Sequence, residues 1–183
     1  MIPDARSDSD LLASARTRPD VFGVLYERHA VAVYRYLARR VGPAAAEDLL
    51  GEVFTAAVAA RRRVQPHVSG SALPWLYGIA GNVARSYLRR SAAPVVIDHS
   101  GVVDWDAVDA RLDATAQRQQ LRVALSGLTA AESELLLLVA WEELSPTEAA
   151  EALGLTPVAA RSRLHRARAR AQAALDDMTR VQL

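Results

Sequence analysis

Residues 145–168 hold two helix starts and one helix stop, and that spacing leaves few folds open. Ser145-Pro146-Thr147-Glu148 combines an N-cap residue, proline at the first helical position and glutamate at the third, so one helix start is specified three times over. Gly154 ends that helix, because glycine readily takes the left-handed conformation of a helix C-terminus. Thr156-Pro157 then caps a second helix that runs through Val158-Ala159-Ala160-Arg161-Ser162-Arg163-Leu164-His165-Arg166-Ala167-Arg168. An eight-residue helix, a three-residue glycine-containing turn and a long basic helix make a helix-turn-helix. Ala149, Ala150, Leu153, Leu155, Ala160 and Leu164 are its expected interior, the alanines letting the two helices cross closely.

The rest of the chain reads as helix too. Alanine (36), leucine (23) and arginine (22) supply 81 of the 183 residues, and all three head the helix-propensity scale, so an all-α fold is expected. Asp20 is expected to cap a helix with Val21, Val24, Leu25, Val31, Tyr34 and Leu37 on its apolar side, ending near Val41-Gly42-Pro43. Pro43 opens a second helix, carrying Leu49, Leu50, Val53 and Phe54 towards Arg61-Arg62-Arg63. After the turn-forming stretch Val64 to Ser71, a third helix spans Pro74 to Arg90 with Trp75, Leu76, Ile79, Val83 and Leu88 as its buried stripe. Periodicity fades from Ser91 to Val108, where Pro94, Gly101 and several aspartates indicate a linker. The expected organisation is therefore a domain at 1–90, an acidic linker at 91–108 and a second domain at 109–183. In the second, a helix resumes near Asp109, and Thr129-Ala130-Ala131-Glu132 forms a capping box ahead of the apolar run Leu135 to Trp141.

That seven-residue run is the longest apolar one, against the roughly 20 residues of a membrane-spanning helix. The amino terminus has no apolar stretch after a basic start, and there is no cysteine; a cytoplasmic protein without thiolate sites or disulfides is expected. Net charge is only +1, but it is unevenly spread. Residues 1–90 hold 13 arginines against 8 acids, whereas residues 91–120 hold 2 against 5. Thr156 to Leu175 carries five arginines and no acid. A solvated helix face would intersperse acids as i, i+4 partners. Arginine pairs bidentately with guanine edges and phosphates, so this helix reads as a DNA-contacting one.

Chemistry of other kinds finds little support. The four histidines do not pair at metal-ligand spacing, and there is no phosphate-binding glycine loop or nucleophile elbow, so neither an enzyme nor a cofactor or metal is expected. Glu47, Asp48 and Glu52 form either a solvated face or, with Leu49 and Phe54, a protein-docking surface. Trp75 and Tyr77 are either core or a platform for unpaired bases. Asn82 sits mid-helix, where its propensity is mediocre and its amide suits a base edge.

Taken in order, these segments resemble the extracytoplasmic-function sigma factors, small members of the sigma-70 superfamily. Asp10-Leu11-Leu12, followed by Phe22, Leu25-Tyr26-Glu27-Arg28-His29 and Val33-Tyr34-Arg35-Tyr36-Leu37, is similar to the family's first conserved region. Ala46-Glu47-Asp48-Leu49-Leu50-Gly51-Glu52-Val53-Phe54 resembles the helix that docks on the polymerase beta-prime clamp. Pro74-Trp75-Leu76-Tyr77-Gly78-Ile79-Ala80-Gly81-Asn82-Val83-Ala84-Arg85 resembles the segment that melts the minus-10 element, and Arg161 to Arg168 the minus-35 recognition helix. Gly51 stands where the family usually has glutamine, and Val158-Ala159-Ala160 where it usually has Gly-Thr-Val.

The resemblance implies two small helical domains, sigma-2 and a sigma-4 helix-turn-helix, that join core RNA polymerase to promoter DNA. It implies polymerase contacts by Asp48, Leu49, Glu52, Val53 and Phe54, with the beta flap as a further contact. Minus-10 contacts fall to His67, Ser69, Asn82, Ser86 and Arg89, and minus-35 contacts to Arg161, Ser162, Arg163, His165, Arg166 and Arg168. An anti-sigma protein is a further implied partner. The alternative is a stand-alone helix-turn-helix regulator, dimeric and bound to an operator, whose first 90 residues form an effector or dimerisation module.

Overall fold

The computed structural model describes residues 5–64, 69–90 and 124–181, and every regular element among them is an α-helix. Ser7 starts α1 (Asp8–Ser14) through a reciprocal box: its Oγ accepts the Asp10 amide at 3.2 Å, and Asp10 Oδ2 accepts the Ser7 amide at 3.1 Å. α2 (Val21–Val41) begins without a side-chain cap. Asp20 was the expected cap, but its own backbone is helical (φ −57°, ψ −27°), so its carboxylate cannot reach forward and instead pairs with Arg18 at 2.8 Å. Gly42 ends α2 at φ 84°, a conformation that favours glycine, and Pro43 opens α3 (Pro43–Ala60). α4 spans Leu73–Arg90.

The chain divides into two compact units, with α1–α4 in the first. There α2 packs on both α3 and α4, α3 packs on α4, and α1 lies on α2. Leu11, Leu25, Val33, Leu37, Val53 and Leu76 are fully buried at its centre. Each such side chain contributes about 1.5–3 kcal/mol by leaving water. Tyr36 and Tyr77 join α2 to α4 with ring centroids 5.1 Å apart, and the Arg40 guanidinium lies 5.3 Å from the Tyr36 ring centre.

The faces these helices bury differ from the expected stripes. On α2, Val21, Leu25 and Leu37 are buried as expected, but Val31 is 59% exposed while Phe22, Val33 and Tyr36 are inside. Val31 and Val33 are two residues apart and cannot share a helix face; the Tyr36 contact with Tyr77 accompanies burial of the Val33 side. On α4 only Leu76 of the expected stripe is fully buried. Trp75, Ile79, Val83 and Leu88 are half-buried, and Tyr77, Ala80, Gly81 and Ala84 form the centre. Small residues allow close helix approach there, and the larger side chains flank them.

The second unit is built mainly on α5 (Ala130–Ala140) and α7 (Pro157–Val181), which pack together; between them in sequence lies α6 (Pro146–Ala152), of which residues 146–150 belong to this unit. The Thr129 box forms as the sequence indicates: Thr129 Oγ1 accepts the Glu132 amide at 3.3 Å, and Glu132 Oε2 accepts the Thr129 amide at 3.0 Å. Leu135, Leu138, Ala149, Ala160, Leu164 and Ala167 are buried. The expected linker at 91–108 and most of the helix expected from Asp109 to Leu125 lie outside the described residues.

Candidate nucleic-acid and polymerase interfaces

The start of α6 is fixed by Ser145 Oγ accepting the Glu148 amide at 3.2 Å and Glu148 Oε2 accepting the Ser145 amide at 2.8 Å. Gly154 turns the chain at φ 64°, and the Leu155 amide closes the turn on the Ala150 carbonyl at 2.8 Å. Thr156 Oγ1 then accepts the Ala159 amide at 3.2 Å and launches α7. With Ala160, Leu164 and Ala167 buried, 100° per residue puts Val158, Ser162 and Arg166 on the opposite side of the helix. His165 lies beside them. Arg161 and Arg168 occupy one flank and the half-buried Arg163 the other.

This gives residues 157–175 of α7 an outward face whose charged side chains are all basic. Arg166 Nη1 donates to Ser162 Oγ at 2.9 Å, which holds the guanidinium along the helix. Arg170 is oriented differently: its Nη1 donates to Glu132 Oε2 at 2.8 Å, tying the middle of α7 to the first turn of α5. The Thr129 amide and hydroxyl, together with the Arg170 charge, hold the Glu132 carboxyl below its ordinary pKa. No signal in the sequence separated Arg170 from its basic neighbours, because its partner lies 38 residues away.

On α4, Asn82, Ser86 and Arg89 follow i, i+4, i+7 spacing on the side away from Tyr77, Ala80 and Ala84. Asn82 and Arg89 are exposed and Ser86 is half-buried. Arg85 Nη2 donates to Asn82 Oδ1 at 2.7 Å, so the amide oxygen of Asn82 is engaged one turn along its own helix. Ser69 is exposed in the turn before α4, whereas His67 lies outside the described residues. Trp75 is half-buried, its ring centroid 6.3 Å from that of Phe22, so it is partly core and partly accessible.

The expected polymerase set divides. Asp48 and Glu52 are exposed at i, i+4 on α3, beside Glu47, Gly51 and Thr55. Leu49, Val53 and Phe54 are 2%, 0% and 8% exposed, so they lie inside the bundle. Phe54 packs edge-on against Tyr26 at 4.8 Å between centroids. α3 buries this side against α2 and α4, and Asp48 and Glu52 lie on its solvent side.

A second buried cluster was not foreseen. Asp8, 9% exposed at the start of α1, accepts Arg28 Nη1 at 2.8 Å, His29 Nε2 at 2.6 Å and the Ala72 amide at 3.0 Å. Burial on its own raises the Asp8 pKa, but the bonds from Ala72, Arg28 and His29 outweigh it and hold the carboxyl below its ordinary value. Arg28 and His29 carry the resemblance to the family's first conserved region, but nothing in the sequence pairs them with Asp8.

These elements define the class: among the described residues, an all-helical protein of two compact units with a helix-turn-helix near its carboxyl terminus. Among known families, Sigma-70 region 2 matches residues 25–93 and Sigma-70, region 4 matches residues 118–170. The RNA polymerase sigma factor CarQ of Myxococcus xanthus is 35% identical over 150 residues, covering 80% of this chain and 84% of its own. The ECF RNA polymerase sigma factor BldN of Streptomyces coelicolor is 30% identical over 181 residues, 90% of this chain and 66% of its own. Among solved structures, CnrH in complex with the cytosolic domain of CnrY superposes with a TM-score of 0.63 at 26% identity, over 94% of this chain and 99% of that one.

The chain belongs to the sigma-70 superfamily, in its extracytoplasmic-function branch, whose members bind core RNA polymerase and direct it to promoters. The family consists of initiation factors rather than catalysts. The alternative of a stand-alone regulator is not favoured, because region 2 occupies the residues where an effector or dimerisation module would have to sit. No described helix is long and apolar enough to cross a membrane.

Proposed function

We propose a division of labour in which residues 1–90 hold the polymerase and open the minus-10 element, while residues 109–183 read the minus-35 element and residues 91–108 join them. The observation that carries this reading is the acid-free outward face of α7 over residues 157–175, opposite a buried Ala160, Leu164 and Ala167. In the major groove, Ser162, His165 and Arg166 are oriented for base edges, and Arg161, Arg163 and Arg168 for the flanking phosphates. Asp48 and Glu52 on α3 would meet basic residues of the beta-prime clamp, and the second unit would also rest on the beta flap.

At minus-10, Ser69 and Asn82 would hydrogen-bond to the nontemplate strand, Ser86 and Arg89 would follow its backbone, and His67, two residues before Ser69 in sequence, is proposed as a further contact. Flipping a base out of the stack costs a few kcal/mol, which pocket contacts and stacking offset. The half-buried Trp75 is near enough to the surface to share in that stacking. No covalent step falls to this chain; it is not itself an enzyme, and it works in the cytoplasm, where polymerase and chromosome are. CnrH was solved bound to CnrY, and a separate protein regulator of that kind is proposed here as well.

Sedimentation and co-purification test the reading. A monomer that co-elutes with core polymerase, and binds a promoter tightly only in its company, is expected. A dimer that ignores polymerase and binds a palindrome alone would overturn it.

A further inference from the structure

The Asp8 cluster is more elaborate than helix α1 needs. Ser7 and Asp10 already cap that helix, yet Asp8 collects donors from two further places: Arg28 and His29 on α2, and the amide of Ala72 immediately before α4. Arg28 is held in turn, its Nη2 donating to the Arg6 carbonyl at 2.8 Å. Ala72 is itself a fixed point, since its carbonyl accepts the Leu76 amide at 3.0 Å in the first turn of α4. Upstream, Ser71 Oγ accepts the Leu73 amide at 3.1 Å. Gly70 adopts φ 77°, and a Cβ there would lie 3.8 Å from Ser9 Oγ on α1. The chain from Ser69 to Ala72 thus passes over the start of α1, with Asp8 binding its last amide. Three peptide units span at most about 11 Å, so fixing Ala72 confines Ser69 to a small volume.

We propose that Asp8 is a positioning residue for promoter opening: from α1 it fixes the Ser69–Ala72 segment so that Ser69 meets the nontemplate strand in one geometry. The inference rests on the reading of Ser69 as a minus-10 contact, and it extends the recognition apparatus to α1, which carries none of the expected contact residues. Asp8 touches no nucleic acid in this scheme. Its influence passes through the Ala72 amide, while Arg28 and His29 hold the carboxylate in place.

The test uses holoenzyme reconstituted from core polymerase and the full chain, carrying wild type, Asp8→Asn or Asp8→Ala. Single-stranded oligonucleotides of the minus-10 nontemplate strand, varied one base at a time, are titrated against each. Asp8→Ala is expected to reduce the ratio of affinities between preferred and disfavoured bases about tenfold, equivalent to about 1.4 kcal/mol of discrimination. Binding to a minus-35 duplex should be unchanged. Asp8→Asn keeps an acceptor for the Ala72 amide and is expected to fall between the two, which keeps the test available if the alanine variant does not fold. Affinities that all fall by one factor, with the ratio kept, would make Asp8 a fold residue only and overturn the proposal, as would variants equal to wild type. A wild type that binds the strand without any base preference would instead overturn the Ser69 reading, and this inference with it.

Discussion

Phe54→Ala separates the two meanings an apolar residue on α3 can have. Its ring is 8% exposed, sits next to the fully buried Val53 and meets Tyr26 edge-on at 4.8 Å. Truncation removes a buried aromatic and leaves a cavity, a change that costs about 3–5 kcal/mol, of which the lost ring pair accounts for about 0.5–1.5 kcal/mol. Against a total stability of about 5–15 kcal/mol for a domain, the first unit would keep its fold with little margin. At about 4–8 °C per kcal/mol, melting should drop by well over 10 °C. Asp48→Ala and Glu52→Ala, on the solvent side of the same helix, should each stay within about 0.5 kcal/mol of wild type. The assay pairs thermal melts by circular dichroism with polymerase pull-down at a temperature below every midpoint. Phe54→Ala should melt early yet still bind polymerase when folded, whereas the two carboxylate variants should melt normally and bind poorly. A Phe54→Ala protein that melts within 1 kcal/mol of wild type but has lost polymerase would refute the reasoning and make Phe54 a contact residue.

Gly51 lies mid-way along α3 and a Cβ added there meets nothing within 4 Å, so Gly51→Ala should stabilise the first unit by about 0.5–1 kcal/mol, read as a higher melting midpoint. Asp8 should confer acid sensitivity. Its folded pKa lies below the ordinary 3.8, so its contribution is complete above that value and is lost as pH falls through the folded value. The stability advantage of wild type over Asp8→Asn should therefore hold from neutrality to about pH 5 and shrink below about pH 4 in stepped melts. Arg166→Ala should weaken minus-35 recognition by about 1–3 kcal/mol in holoenzyme binding. Arg170→Ala, whose guanidinium is engaged by Glu132, should leave base preference unchanged; equal losses in both would remove the distinction between them.

What the sequence conveyed well were signals that act within one turn of helix. Thr129 with Glu132, Ser145 with Glu148, Gly42 with Pro43, and Gly154 before Thr156 each set a boundary through partners at most four residues apart, and each occurs in the structure. Asp20 failed for a local reason as well: the residue is already helical, a conformation its side-chain chemistry does not reveal. The buried faces of α2 and α4 were less legible, because apolar residues are spread widely around α2 and because on α4 small residues turn inward ahead of larger apolar ones, so neighbour packing decides which side is buried. Exposure was legible where it follows from polarity, as for Asp48, Glu52, Asn82 and most of the α7 arginines, and burial was less so where apolar character allowed either a core or a surface, as for Leu49, Val53 and Phe54. The Asp8 cluster was invisible in the sequence for a third reason: its partners stand 20, 21 and 64 residues away.

The most direct measurement is transcription in vitro from a library of genomic fragments, with core polymerase alone and with this chain added. Discrete transcripts that start a fixed distance downstream of a shared pair of upstream elements, and vanish with Arg166→Ala, are the expected result. Core polymerase that initiates identically with and without the chain, while the chain alone protects a DNA site, would contradict the account.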